Sequence, residues 1–138
     1  MPNALVATLQ KRPIYMNLMW FFCIYMTFIY APFDIFFKPV EQDAEVWFGF
    51  TLYGWWAKAT APVHWLIYGA GAYGFWKMSR WMHPLAFIYV AQIGISMLVW
   101  NLVSPAGSGW IPGLVGLAVL MVPTIALWRG RRHFSGTV

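Results

Sequence analysis

The side chains able to do chemistry are few and far apart. There are four acids (Asp34, Glu41, Asp43, Glu45), three histidines (His64, His83, His133) and one cysteine, Cys23. Asp34 is the acid next to an apolar run. A carboxylate at the mouth of a cavity there is costly to desolvate and needs a cation, from Lys38, from Lys58 or from a ligand amine. The other reading of Asp34 is a solvated acid at a helix end.

The histidines invite a haem or metal reading, because imidazole is a common axial ligand. His64 falls near the outer end of one apolar segment and His83 at the inner end of the next, so they stand about a membrane thickness apart and do not clamp one iron. His83 and His133 share a side, where boundary histidines commonly face headgroups. No H-x-x-x-H or E-x-x-H pair exists, and one cysteine excludes a multi-cysteine site and an intramolecular disulfide. No metal and no cofactor is expected.

Gly69-Ala70-Gly71-Ala72-Tyr73-Gly74 matches G-x-G-x-x-G. A dinucleotide fingerprint must follow a strand and open a helix in water, whereas this run lies inside an apolar segment. It reads as a helix face stripped for close approach, with Ala70 and Gly74 as a small-xxx-small pair.

Polar residues within apolar runs carry the remaining signal. Gln92 and Ser96 lie four apart on one helix face, joined by Asn101, Asn17, Thr27 and Thr124. They serve either as interhelical hydrogen-bonding groups or as the few polar contacts of a ligand pocket in an aromatic wall. Ten tryptophans and seven tyrosines exceed what two interfacial belts need. The surplus offers π faces to a cation, flat apolar rings to a polycyclic molecule, or packing for a partner subunit. The candidate ligand-binding set is Asp34, Thr27, Trp56, His64, Tyr68, Gln92, Ser96 and Asn101. No catalytic residue is assigned.

The elements that position these residues follow from composition. With 61% hydrophobic and only 9% charged residues among 138, the chain has too little polar surface to cover a water-soluble globule. It reads as a single integral membrane domain over residues 1–138, in a bacterial inner membrane or an ER-type membrane. The expected architecture is an all-α bundle of four transmembrane helices at about 14–32, 57–76, 84–103 and 111–128. The first run, 19 residues, spans roughly 28 Å as a helix. It is longer than a secretory signal core and lacks a small-residue cleavage site, so it is expected to be retained.

Phe33 to Lys58 holds all four acids and the aromatic block VWFGFTLYGWW. Residues 46–58 suit either an interfacial segment or the outer turns of a second span bent at Pro62. Seven cations (Lys11, Arg12, Lys77, Arg80, Arg129, Arg131, Arg132) fall on one side of this topology. Only Lys38 and Lys58 share the other side with the acids. By the positive-inside rule both termini are cytoplasmic. The net charge of +5 is scattered at span boundaries and offers no groove-binding surface for nucleic acid.

The run HPLAFIYVAQIGISMLVWNL, led by AYGFWKMSRW, and the upstream LYGWWAKATAP resemble the EXPERA family. There too an A-K motif preceded by aromatics opens a helix, followed by a basic turn, an H-P or T-P opening and another helix. The likeness in layout covers Phe21 to Trp128. It implies a four-helix bundle opening sideways to lipid, an aromatic cavity for sterols or similar amphiphiles, and commonly a homodimer. In the isomerase branch, carboxylates in the first two helices protonate an alkene and stabilise the carbocation. The corresponding positions here are Ala31 and roughly Ala61. Asp34, about one turn beyond Ala31, lies near where receptor-type members keep an acid.

Two function classes follow. One is an aromatic-lined intramembrane cavity for a sterol-, hopanoid- or isoprenoid-like ligand, with double-bond isomerisation as its enzymatic version. The other is an accessory subunit docked on a larger membrane complex.

Overall fold

The computed structural model describes residues 3–136 and is mostly helical. Three helical runs are long and apolar enough to cross a membrane: Ile14–Phe36, Met82–Val103 and Trp110–His133. A short helix, α1 (Ala4–Gln10), precedes them, capped by Asn3. Asn17 donates to the Leu9 carbonyl at 2.7 Å and so ties α1 down.

The first run does not stop at Pro32, as the sequence suggested. α2 (Ile14–Tyr25) passes through a π-helical turn, Met26–Tyr30, into α3 (Ala31–Phe36). The Ala31 N–H reaches back to the Met26 carbonyl. In this wider register Thr27 O would pair with residue 32, a proline with no N–H to give. The orphaned carbonyl accepts instead from Trp65 Nε1 at 2.8 Å, which pins the next helix to this turn.

The aromatic block is not helical as far as Tyr53, and only its last two residues, Trp55 and Trp56, open the next helix. It folds as an antiparallel hairpin of β1 (Ala44–Trp47) and β2 (Phe50–Tyr53), with Ala44 opposite Tyr53 and Trp47 opposite Phe50. Val, Thr and aromatic side chains favour the pleated surface, and the two-residue turn Phe48-Gly49 has positive φ at both positions, 53° and 91°. The all-α expectation is corrected to that extent.

The hairpin bridges two helices. A Cβ at Gly49 would overlap the Val99 side chain and come within 2.9 Å of Ser96 O on α5 (Met82–Val103). Trp100 Nε1 donates to Thr51 Oγ1 at 3.2 Å. On the other side Trp47 stacks on His64 of α4 (Trp55–Lys77), with ring centroids 3.9 Å apart and planes 4° off parallel.

α4 runs antiparallel along the whole Ile14–Phe36 helix. Arg12 donates to the Phe75 carbonyl at one end and Lys58 to the Asp34 carbonyl at the other. Between them a Cβ at Gly71 would meet Cys23 Sγ at 2.9 Å. Close approach is therefore made by Gly71, with Gly74 packed under Met82 in the turn to α5. Ala70 is exposed, one residue (about 100°) away from the Gly71 stripe, so the Ala70–Gly74 pairing is not the contact.

α5 packs chiefly on α6 (Trp110–Arg129), with Gly94 against Leu117 and Leu120, and Gly113 against Leu98. The two helix pairs are joined at one end by a core that includes Met16, Phe75, Met82, Leu127 and Phe134. At the other end the hairpin joins them.

Gly49→Ala combines steric overlap with left-handed strain and should destabilise the protein by about 3 kcal/mol in detergent unfolding. Phe48→Asn, at an exposed position of the same turn, should stabilise it by about 1 kcal/mol.

Candidate functional site

Asp34 lies in α3 and is 3% exposed. One turn on, Lys38 Nζ stands 3.2 Å from Asp34 Oδ1. The chain then turns through Val40–Gln42 and sets Asp43, 2% exposed, just before β1. Lys58, in the first turn of α4, places Nζ 3.2 Å from Asp43 Oδ2, and Lys38 lies 3.9 Å from Oδ1. Neither Asp43 oxygen makes a hydrogen bond among the described residues, so ion pairing alone meets its charge. The solvated-acid reading of Asp34 is overturned, because the bundle end buries it with its counter-ions.

Strand alternation supplies the next contacts. Glu45 and Trp47 are two apart on one face of β1, the half-buried face. Both therefore reach His64: Nδ1 donates to Glu45 Oε2 at 2.5 Å while the indole stacks on the ring. Tyr68, one turn further along α4, meets Tyr89 edge-on at 6.3 Å. Met26 and Tyr30 of the π-turn, with Ala31 and Ala61, help to wall a cavity of about 260 Å³ that Asp34, Glu45, His64 and Tyr68 face.

The electrostatics are nearly balanced. Asp34 and Asp43 face the ammonium groups of Lys38 and Lys58, and Glu45 faces the His64 ring. For Lys38, burial disfavours the ammonium, but the Asp34 hydrogen bond and the nearby charges outweigh it and raise its pKa above 10.5.

The three carboxylates offer oxygens within 4.8 Å of one another, a spacing that suits a hard cation. Two ammonium groups already occupy the approach to Asp34 and Asp43, so the cluster fits a divalent ion poorly.

Of the residues singled out from sequence, Asp34, His64 and Tyr68 meet at this cavity. Thr27 lies behind the wall, with its hydroxyl buried and unpartnered and its carbonyl held by Trp65. Trp56 is 75% exposed and is not part of the lining. Gln92 donates to Ser96 at 2.6 Å, so the pair satisfies itself on α5. Asn101 organises the loop after α5, accepting from the Ser108 and Gly109 amides through its side chain and carbonyl. Gln92, Ser96 and Asn101 lie elsewhere because a polar group in an apolar helix can be satisfied locally, without a pocket. Asp43 and Glu45 were missed as site residues. Their signal was the period-2 pattern Asp43, Glu45, Trp47, legible only once the segment is read as a strand.

No protein-family model, curated protein or solved structure matches the chain. What the protein does is therefore read from the site itself.

Removing Lys58 strands Asp43 with a single distant counter-ion. Lys58→Met should destabilise by about 3–5 kcal/mol, and Lys38→Met by clearly less because Lys38 is 26% exposed. Chemical denaturation of the two variants ranks them. The raised Lys38 pKa also gives a pH signature: its contribution is complete below pH 10.5 and lost as pH climbs through the folded value. Wild-type stability should fall in that alkaline window more than that of Lys38→Met, as thermal melts across pH 9–12 would read (roughly the lysine range).

Proposed function

We propose that this chain is a four-span integral membrane protein that binds the cationic headgroup of an amphiphile between its first span and the hairpin. The carrying observation is that Glu45, which has no lysine partner among the described residues, faces a small cavity lined in part by Tyr30 and Tyr68. An ammonium entering there gains Glu45 as a counter-charge beside the rings of Tyr30 and Tyr68, since Asp34 is already paired with Lys38. At about 260 Å³ the cavity is below the roughly 300 Å³ at which enclosed sites for drug-sized ligands begin. A headgroup fits, with the apolar body, sterol-like or isoprenoid, lying outside against the lipid-exposed side chains of Phe28, Ile29 and Phe33.

The four-span topology rests on α4. Its 23 residues, about 34 Å, run beside the first span from Phe75 at the basic end to Lys58 at the acidic end. A helix that shares both ends of a spanning partner crosses the same thickness. Both chain ends then lie on the cytoplasmic side; residues 1–2 and 137–138 themselves are outside the described residues.

The EXPERA resemblance points to the same place. Ala31 and Ala61, the positions it would give to catalytic acids, both line this cavity. With alanine there, the reading is of binding without isomerisation. A second reading, docking onto a larger complex, draws on the exposed Phe48, Phe50, Tyr53, Trp55 and Trp56 around the hairpin. Stoichiometric co-purification with a large assembly would favour it.

Binding of a long-chain alkylammonium to purified protein should weaken about tenfold in Glu45→Gln, while a neutral-headed analogue is unaffected. Equal affinity of wild type and variant for the ammonium would remove the cavity from the account.

A further inference from the structure

At the other end of the bundle the charge balance is reversed. Lys11, Arg12, Lys77, Arg80, Arg129, Arg131 and Arg132 gather there, and all four acids of the chain lie elsewhere. None of the seven has an acidic partner among the described residues.

They come from three segments remote in sequence that the fold ties together. Arg12 donates to the Phe75 carbonyl and lies over Trp76 at 5.5 Å. Tyr15 donates to the Ala126 carbonyl at 3.0 Å, and His83 Nε2 to the Trp128 carbonyl at 2.9 Å. The Gly136 amide donates to the Met78 carbonyl at 2.9 Å. The C-terminal dipoles of α4 and α6 offset Lys77 and Arg129 in part. Lys11, Arg80, Arg131 and Arg132 are exposed with nothing to offset them.

Exposed apolar side chains stand beside these cations. Ile14 follows Arg12, Trp81 follows Arg80, and Trp128 precedes Arg129. A ligand suited to this arrangement carries negative charge at one end and hydrocarbon at the other.

We infer that this end of the bundle is a binding face for anionic phospholipid headgroups, with phosphate on the arginines and acyl chains along the neighbouring apolar residues. Clusters of basic residues at a membrane boundary attract anionic lipid at about 1 kcal/mol per Lys or Arg, equivalent to about fivefold. The apolar flank favours a lipid over a nucleic acid, which would meet only the cations.

The test uses the full chain in bilayer nanodiscs of equal phosphatidylglycerol and phosphatidylcholine, followed by native mass spectrometry of the extracted protein. Phosphatidylglycerol should be retained over phosphatidylcholine by at least about fivefold, and the preference should shrink in high salt. Arg131→Gln/Arg132→Gln should lose most of it, and the Lys versions should keep it. Equal retention of both lipids by the wild type would overturn the inference whatever the variants do. So would an unchanged preference in the double Gln variant, or displacement of the retained lipid by a single-stranded RNA oligonucleotide.

Discussion

Among the described residues, Asp43 is buried without a hydrogen bond to either carboxylate oxygen, and its charge is met only by Lys58 at 3.2 Å and Lys38 at 3.9 Å. A buried carboxylate with no counter-ion would be strongly unfavourable, so the two lysines must converge on it. Lys38 sits just beyond the first span and Lys58 at the start of α4, and Asp43 leads directly into β1. One unsatisfied charge thus brings three elements to a common point. With β1 fixed there, its alternation carries Glu45 and Trp47 onto His64, and Glu45 and His64 line the cavity beside Asp34.

The two ends of the bundle are held by different forces. The basic end is joined by apolar packing around Met16 and Leu127, both fully buried. The acidic end is joined by ion pairs and by a hairpin whose turn leaves no room for a side chain at Gly49. Such a division suits a membrane protein with a charged site. Apolar packing tolerates no polar cavity, whereas an ion-paired cluster can present a carboxylate to one.

Sequence patterning located the long helices closely. Helices expected at 57–76, 84–103 and 111–128 correspond to Trp55–Lys77, Met82–Val103 and Trp110–Arg129, of which the last two belong to runs long and apolar enough to cross a membrane. Length and apolar run decide these, and both are local. The hairpin was not legible, because Trp, Phe and Tyr suit an interfacial helix and a strand equally, and Phe48 in the turn replaces the Asn or Asp that would have marked it. Pro32 misled for a similar reason. It ends an α-helical register, but a π-turn and a tryptophan from another helix absorb the loss. At the site, Asp34 was visible by its position at the end of an apolar run. Glu45 became visible only through a strand pairing that positions it across from α4. Gln92, Ser96 and Asn101 looked equivalent to true lining residues because one-dimensional polarity does not reveal that each is satisfied within its own helix or the loop that follows it.

The central claim is that a cationic headgroup enters beside Asp34 and Glu45. Photolabelling with an alkylammonium that carries a diazirine next to its nitrogen tests this most directly, since the label reports the place of contact. The account predicts labelled peptides from Met26–Ile35 and Ala44–Val46, the two cavity walls that flank the carboxylates. Labelling confined to α5 and α6, with those two segments unmarked, would contradict it.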